Sequence, residues 1–182
     1  MTPLYTLVIT YLVAFTVASP FKVARQATCD VDQIGADVQH IHDNTVTLDN
    51  DVLAIPDSGA TPAQALAVHG DIQNIASAID STTTVIEPCP TFPDDAFKAI
   101  LDEVQDIVNI ETKAMNDLSA KRGAFDASTV SLIRQDLVDL RTASVNLENV
   151  WLAKAPADLL PQAQDLADAI NNALDSALNA YA

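Results

Sequence analysis

Few residues in this 182-residue chain are chemically equipped for a reaction. The histidines are His40, His42 and His69. His40 and His42 stand two apart, so on a helix they point in different directions, whereas a metal pair needs a spacing of three or four. Asp30-Val31-Asp32 and Asp49-Asn50-Asp51 resemble fragments of calcium loops. They lack the central glycine and terminal glutamate of such a loop and fall inside helical patterning, so they read as solvated faces. Asp102-Glu103 is a carboxylate pair with no neighbour in sequence that would raise a pKa for acid-base work. Gly-x-Ser-x-Gly, His-Glu-x-x-His and the phosphate-binding glycine loop are all absent. No catalytic residue, metal site or cofactor is indicated, and the function classes left are binding and structure.

The two remaining reactive residues, Cys29 and Cys89, carry a different message. The apolar run from Leu4 to Val17, followed by Ala18-Ser19-Pro20, reads as a secretory signal over residues 1–18, with 19–28 a flexible lead and 29–182 one domain. It is shorter than the roughly 20 residues of a membrane span. In an oxidising compartment two cysteines pair, so a Cys29–Cys89 disulfide is expected.

Those cysteines bracket two apolar stripes at three-four spacing. The first is Val31, Ile34, Val38, Ile41, Thr45, Leu48, Val52 and Ile55; the second is Ala65, Val68, Ile72, Ile75 and Ile79. Between them lies a turn bounded by Pro56 and Pro62, with Thr61-Pro62 as a helix start. Two helices folded back here bring Cys29 and Cys89 to one end, and the disulfide staples a hairpin. A third helix opens at Pro93-Asp94-Asp95 and leaves at Lys121-Arg122-Gly123. A fourth, capped by Asp126 or Ser128, carries Val130, Ile133, Leu137, Leu140, Ser144, Leu147 and Trp151 and stops before Pro156. A fifth carries Leu159, Ala163, Leu166, Ile170, Ala173, Ala177 and Tyr181. The fold class is all-α: an up-down bundle of about five long amphipathic helices with one disulfide.

Charge narrows the partners. The chain has 25 acidic and 9 basic residues, a net charge of −16, and no Lys or Arg from residue 26 to 97 or after 154. A nucleic-acid surface is excluded on this balance, and attraction to anionic lipid headgroups is disfavoured.

The core is long, aliphatic and poor in aromatics, and some stripe positions are small or polar: Thr45, Ser144, Ala163 and Ala173. Small residues let helices approach closely. Alternatively they leave a tunnel for an aliphatic chain, lined by Ile100, Val104, Ile107, Ile133, Leu137, Leu140, Leu147, Leu166 and Ile170, with Thr45 or Ser144 as a hydrogen-bonding anchor for a carboxylate head group. A further alternative opens the helices onto a hydrophobic surface, with Leu159, Leu160, Leu166, Ile170 and Leu174 of the fifth helix exposed.

The succession of a leader, Cys29 at the head of a long acidic helix, Cys89 among prolines, Trp151-Leu152-Ala153-Lys154-Ala155-Pro156 and a last Ala/Leu-rich helix resembles the fungal hydrophobic surface-binding protein A family, also described as cell-wall galactomannoproteins. The resemblance implies a secreted, extracellular or cell-wall-associated fungal protein without enzyme activity. Such a protein binds hydrophobic surfaces or lipids, a fatty acid in an apolar cavity among them, and a secreted hydrolase is an implied partner. The competing reading is a structural or antigenic wall protein whose core is filled and holds no ligand. With one end of the first two helices stapled, any opening is expected among the third to fifth helices or at the Pro56–Pro62 end.

Overall fold

The computed structural model describes residues 29–182; the expected leader 1–18 and the lead to residue 28 lie outside the described residues. Five α-helices follow in order: α1 Val31–Leu53, α2 Pro62–Ile86, α3 Asp94–Ala120, α4 Ala127–Leu152 and α5 Leu160–Ala180, with a short 3-10 turn at Arg122–Ala124. No strand occurs among the described residues. The all-α expectation and the five helices are met, with boundaries shifted by a residue or two.

Local chemistry explains the helix starts. The Asp30 carboxylate accepts from the Gln33 amide to begin α1. Thr61 and Gln64 form a reciprocal capping box at α2, and Pro62 occupies its first position. Of the two caps expected for α4, Asp126 does the capping, accepting from the Thr129 amide; Ser128 donates to the same carboxylate oxygen. Gly35 sits within an uninterrupted α1. Gly59 has φ +124°, a conformation that a side chain disfavours, and turns the chain between α1 and α2.

Side-chain pairings fix the directions of the helices. Lys113 binds Asp49 at 2.8 Å, and Lys121 binds Asp57 at 2.7 Å, the same offset of 64 residues both times. α3 therefore runs parallel to α1. His69 meets Asp136 at 2.6 Å and Lys154 meets the Glu87 carbonyl at 3.1 Å, both at an offset of 67 residues, which sets α4 parallel to α2. The Tyr181 hydroxyl donates to the Leu118 carbonyl at 3.0 Å, so the ends of α3 and α5 coincide. Asn171 donates to Glu148, and Arg141 to Asp175, as antiparallel α4 and α5 require.

The main packing partners then close a ring in the order α1, α2, α4, α5, α3 and back to α1. Each helix leans on two neighbours, and consecutive helices α2 and α3, or α3 and α4, are not ring neighbours. Five cylinders with axes about 8–10 Å apart leave a central gap about 6 Å across before inward side chains fill it. That gap is the consequence of the ring that matters for function.

The two ends of the ring are held differently. At one end the Cys29–Cys89 disulfide joins the start of α1 to the end of α2, with Cα atoms 4.8 Å apart. Phe97 stacks on Trp151 at 4.3 Å between ring centroids, with Phe92 tilted against both. The Lys154 ammonium donates to the Glu87 and Cys89 carbonyls, placing a cation at the C-terminal end of α2 where the helix dipole favours it. At the other end the Ala60 amide donates to the Ala124 carbonyl at 2.8 Å, and Tyr181 is 1% exposed.

Candidate functional site

The centre of the ring is not completely filled. Two voids of about 70 Å³ each lie along it. They share Val38, Val104, Leu147, Glu148 and Ile170 as walls. The void nearer the disulfide adds Thr82 and Ile86 from α2, Ile100 and Leu101 from α3, Trp151 from α4, and Ala163, Leu166 and Ala167 from α5. The second adds Ile41, Ile79, Ile107, Glu111 and Ser144. All five helices therefore contribute wall. The reason is local: α5 faces the centre with alanines at 163 and 167, and these short side chains leave room that a leucine would take.

The sequence-predicted lining residues divide. Ile100, Val104, Leu147, Leu166 and Ile170 come together around the first void, and Val104, Ile107, Ser144, Leu147 and Ile170 around the second. Ile133, Leu137 and Leu140 do not line either one. They are fully buried on α4, toward the Pro56–Pro62 end, where the core contains Met115, Leu118 and Tyr181. Thr45 is buried as well, but its hydroxyl donates to the Ile41 carbonyl one turn back at 2.9 Å. It is spent on its own helix and does not face the voids. Leu159 and Leu160, named as surface-seeking, flank the start of α5, and Leu160 is 36% exposed.

Ser144 was expected as a polar group of the site; the two acids beside it, Glu111 and Glu148, escaped sequence reasoning. Glu111 on α3 is 4% exposed, and one of its carboxyl oxygens has no hydrogen-bond partner. Glu148 on α4 accepts from the Asn171 amide at 2.9 Å with one oxygen and leaves the other unpartnered. The Ser144 hydroxyl is buried and unpartnered too. Burial, and then the Glu148 charge, push Glu111 up to about 8, so it is largely protonated at neutral pH. Burial raises Glu148 as well, against the Asn171 hydrogen bond and the Arg141 charge, while Asp168 adds to the rise. The available signal was a gap: the α3 stripe runs Ile107, Val108, then Met115, and position 111 is the inward position between them.

A second buried acid, Asp136, accepts from His69 and, at 3.5 Å, from Gln73. Burial outweighs these hydrogen bonds, and its pKa is raised. It ties α2 to α4 and is not part of the void walls.

What the arrangement can do follows from these parts. Two adjacent aliphatic voids with a few polar groups at one side suit an amphiphile with a single chain. No nucleophile paired with a base is found among the residues lining it, and no described helix is long and apolar enough to cross a membrane.

The fold recurs in solved structures. Ligand-binding domain 1 of the Penicillium marneffei MP1 protein, complexed with arachidonic acids, superposes with a TM-score of 0.76 at 20% identity, over 84% of this chain and 99% of that one. Ligand-binding domain 2 of the same protein, complexed with multiple arachidonic acids, gives 0.76 at 18% identity, over 84% and 96%. AFMP4P in complex with palmitic acid gives 0.76 at 18% identity, over 84% and 100%. At these identities the likeness establishes the fold. No curated protein sequence matches the chain significantly. The model of one family matches residues 31–153, from the first turn of α1 through Trp151 to the end of α4. The chain belongs to the hydrophobic surface binding protein A family.

Proposed function

We propose that this protein binds lipids with a single aliphatic chain between its helices, without a catalytic step. The observation that carries this is the pair of apolar voids walled by all five helices and sharing Val104, Leu147 and Ile170. The neighbours of the same fold were solved with arachidonic and palmitic acids, which supports an acyl chain as the occupant.

At about 70 Å³ each, the voids are smaller than the roughly 150 Å³ that accepts a benzene molecule. A long chain therefore has to part the ring. α3 and α5 both lack a crosslink and a side-chain cap at their starts, and of the two we take α5, the last helix of the ring, packed on α3 and α4, as the one that moves. Each buried methylene contributes about 0.8 kcal/mol, so a chain of a dozen carbons offsets a sizeable opening cost.

The family's description, hydrophobic surface binding, also finds a place on the exterior. Leu66 and Leu132, 66% and 43% exposed, flank a surface groove of about 470 Å³ between the starts of α2 and α4. Adsorption through this end leaves the ring closed.

Secretion after cleavage near residue 18, placement at a fungal cell wall, and recruitment of a secreted hydrolase complete the reading. N-terminal sequencing of the protein from culture medium tests the first of these. The lipid claim is tested by purifying the protein, extracting it with organic solvent and analysing the extract by mass spectrometry. Single-chain lipids in stoichiometric amount are expected; a lipid-free extract from a protein that also ignores added lipid overturns the proposal.

A further inference from the structure

The seam between α4 and α5 differs from the other seams of the ring, and the difference bears on how a chain gets in; this inference rests on the chain-binding reading above. α1 and α2 are joined by the disulfide. α1 and α3 are bridged by Lys113 to Asp49 and, just past their ends, by Lys121 to Asp57. α2 and α4 share the buried Asp136, which accepts from His69. Along α4 and α5, by contrast, polar atoms are buried and left over on both helices: Nη1 of Arg141, one carboxyl oxygen of Glu148 and the amide oxygen of Asn171. A donor and two acceptors buried without partners weaken the packing of one helix on the other.

The same seam has space on both of its sides. Inside, Ser144, Leu147 and Glu148 of α4 and Ile170 of α5 wall the second void. Outside, Arg141, Thr142, Val145 and Asn146 of α4 and Asp175 of α5 line a surface groove of about 390 Å³. Arg141 lies between the two. Its Nε donates to Asp175 at 3.0 Å, and that side chain is 54% exposed. Its Nη1 is buried, and its charge acts on Glu148 in the void wall. The Arg141–Asp175 pair is the one ion pair across this seam among the described residues, and exposed pairs hold weakly. A smaller cleft of about 80 Å³ between α1 and α3 also reaches Val38 and Ile107 of the void wall. Glu103 and Asp106 line that cleft and no Lys or Arg does, so it repels an anionic head group.

We propose that the α4–α5 seam is the port through which a single-chain carboxylate enters, and that Arg141 positions it by receiving its head group in exchange for Asp175. The exchange puts one carboxylate in the place of another on the guanidinium, so the cation is never left without a partner. Asp175 turns out to water. The planar guanidinium holds a carboxylate through two N–H donors, and Nη1 is already free to be one of them. Ser144, three residues on along the same face of α4, has its hydroxyl buried and unpartnered beside the path inward. Burial, with Asp168 adding to it, raises the pKa of Glu148, which lessens the negative charge beside the incoming head group.

The test is stopped-flow and equilibrium titration of delipidated protein with dodecanoate and with 1-dodecanol, the same chain without the charge, followed by Trp151 fluorescence. The Arg141 and Asp175 side chains are 25% and 54% exposed, so variants at these positions keep the core intact. Arg141→Met should weaken dodecanoate at least 5-fold and leave dodecanol within 2-fold; Arg141→Lys, which keeps the charge, should lie between the two. Asp175→Asn should speed the uptake of both compounds at least 3-fold. Asp49→Asn, which removes the corresponding pair between α1 and α3, should leave uptake unchanged. Three results overturn this inference and leave the chain-binding function standing: equal losses for both compounds in Arg141→Met, no loss for either, or an uptake rate that Asp175→Asn does not raise beyond Asp49→Asn. Binding of neither compound to the unaltered protein overturns both.

Discussion

Glu111 on α3 and Glu148 on α4 stand on the wall of the same central void, each with one carboxyl oxygen unpartnered, and the charge of Glu148 adds to burial in keeping Glu111 protonated. An aliphatic core that holds two such groups is built for more than its own cohesion. The pair also makes the stability of the fold depend on pH.

For Glu111 the folded-state pKa of about 8 lies above its ordinary value of 4.5, so the folded protein binds the proton more tightly than the unfolded chain. Its contribution is complete below the ordinary value and is lost as pH rises through about 8. Asp71, raised to about 6 by burial and by Asp51, acts in the same direction at lower pH. Urea midpoints should therefore fall between pH 6.5 and 8, by up to roughly 2 kcal/mol in stability. Glu111→Gln should flatten that interval. A midpoint that rises with pH contradicts the assignment.

Filling the first void should separate binding from stability. Ala163, 2% exposed, faces the void with Trp151 and Leu166. Ala163→Leu adds about three methylene-sized groups to it. Lipid affinity should drop at least 10-fold, while the thermal midpoint stays within a few degrees or rises. An unchanged affinity would place the ligand elsewhere, with the exposed groove at Leu66 and Leu132 the next site to examine.

The disulfide spans a sequence separation of 60 residues. Chain entropy for a loop of that length corresponds to about 4 kcal/mol. Replacing Cys29 and Cys89 with serine should lower stability by roughly that amount in denaturant titration. The helical signature should survive, because the stripes and the Lys154 contacts to Glu87 and Cys89 remain. A loss below about 1 kcal/mol would mean that the unfolded chain is already compact near this hairpin.

Opening is expected at α5. Amide hydrogen exchange should be faster over Leu160–Ala180 than over the stapled α1 and α2, and added lipid should slow it there most. Exchange that is slowest in α5 would contradict the opening route.

Much of this architecture is legible in the sequence, for reasons tied to particular residues. The run Ile34, Val38, Ile41, Thr45, Leu48 and Val52 needs one helix face to be buried at every position, and the structure buries all six. Thr61-Pro62 and Asp126 mark helix starts because their side chains can meet free backbone amides. The ring order is not legible, because nothing local in α1 records that it lies beside α3 and not α4. The site was readable only in part. Ile100 and Leu166 could be found from their stripes, whereas the choice between void and filled core at Ile133 depends on which side chains come from other helices. Thr45 sits on a core stripe, but its own helix supplies the Ile41 carbonyl to its hydroxyl, a pairing that the stripe alone does not reveal. Glu111 was missed because a charged residue is read as outward-facing, although its position in the helix repeat points inward.

The central claim is that a lipid chain occupies the space beside Trp151, the chain's single tryptophan, which is 9% exposed. The most direct measurement is the fluorescence of Trp151 in delipidated protein during titration with a long-chain lipid, run in parallel on Ala163→Leu. A saturable spectral change that the variant loses is the expected result. A flat titration in the unaltered protein, or the same curve from both proteins, would contradict it.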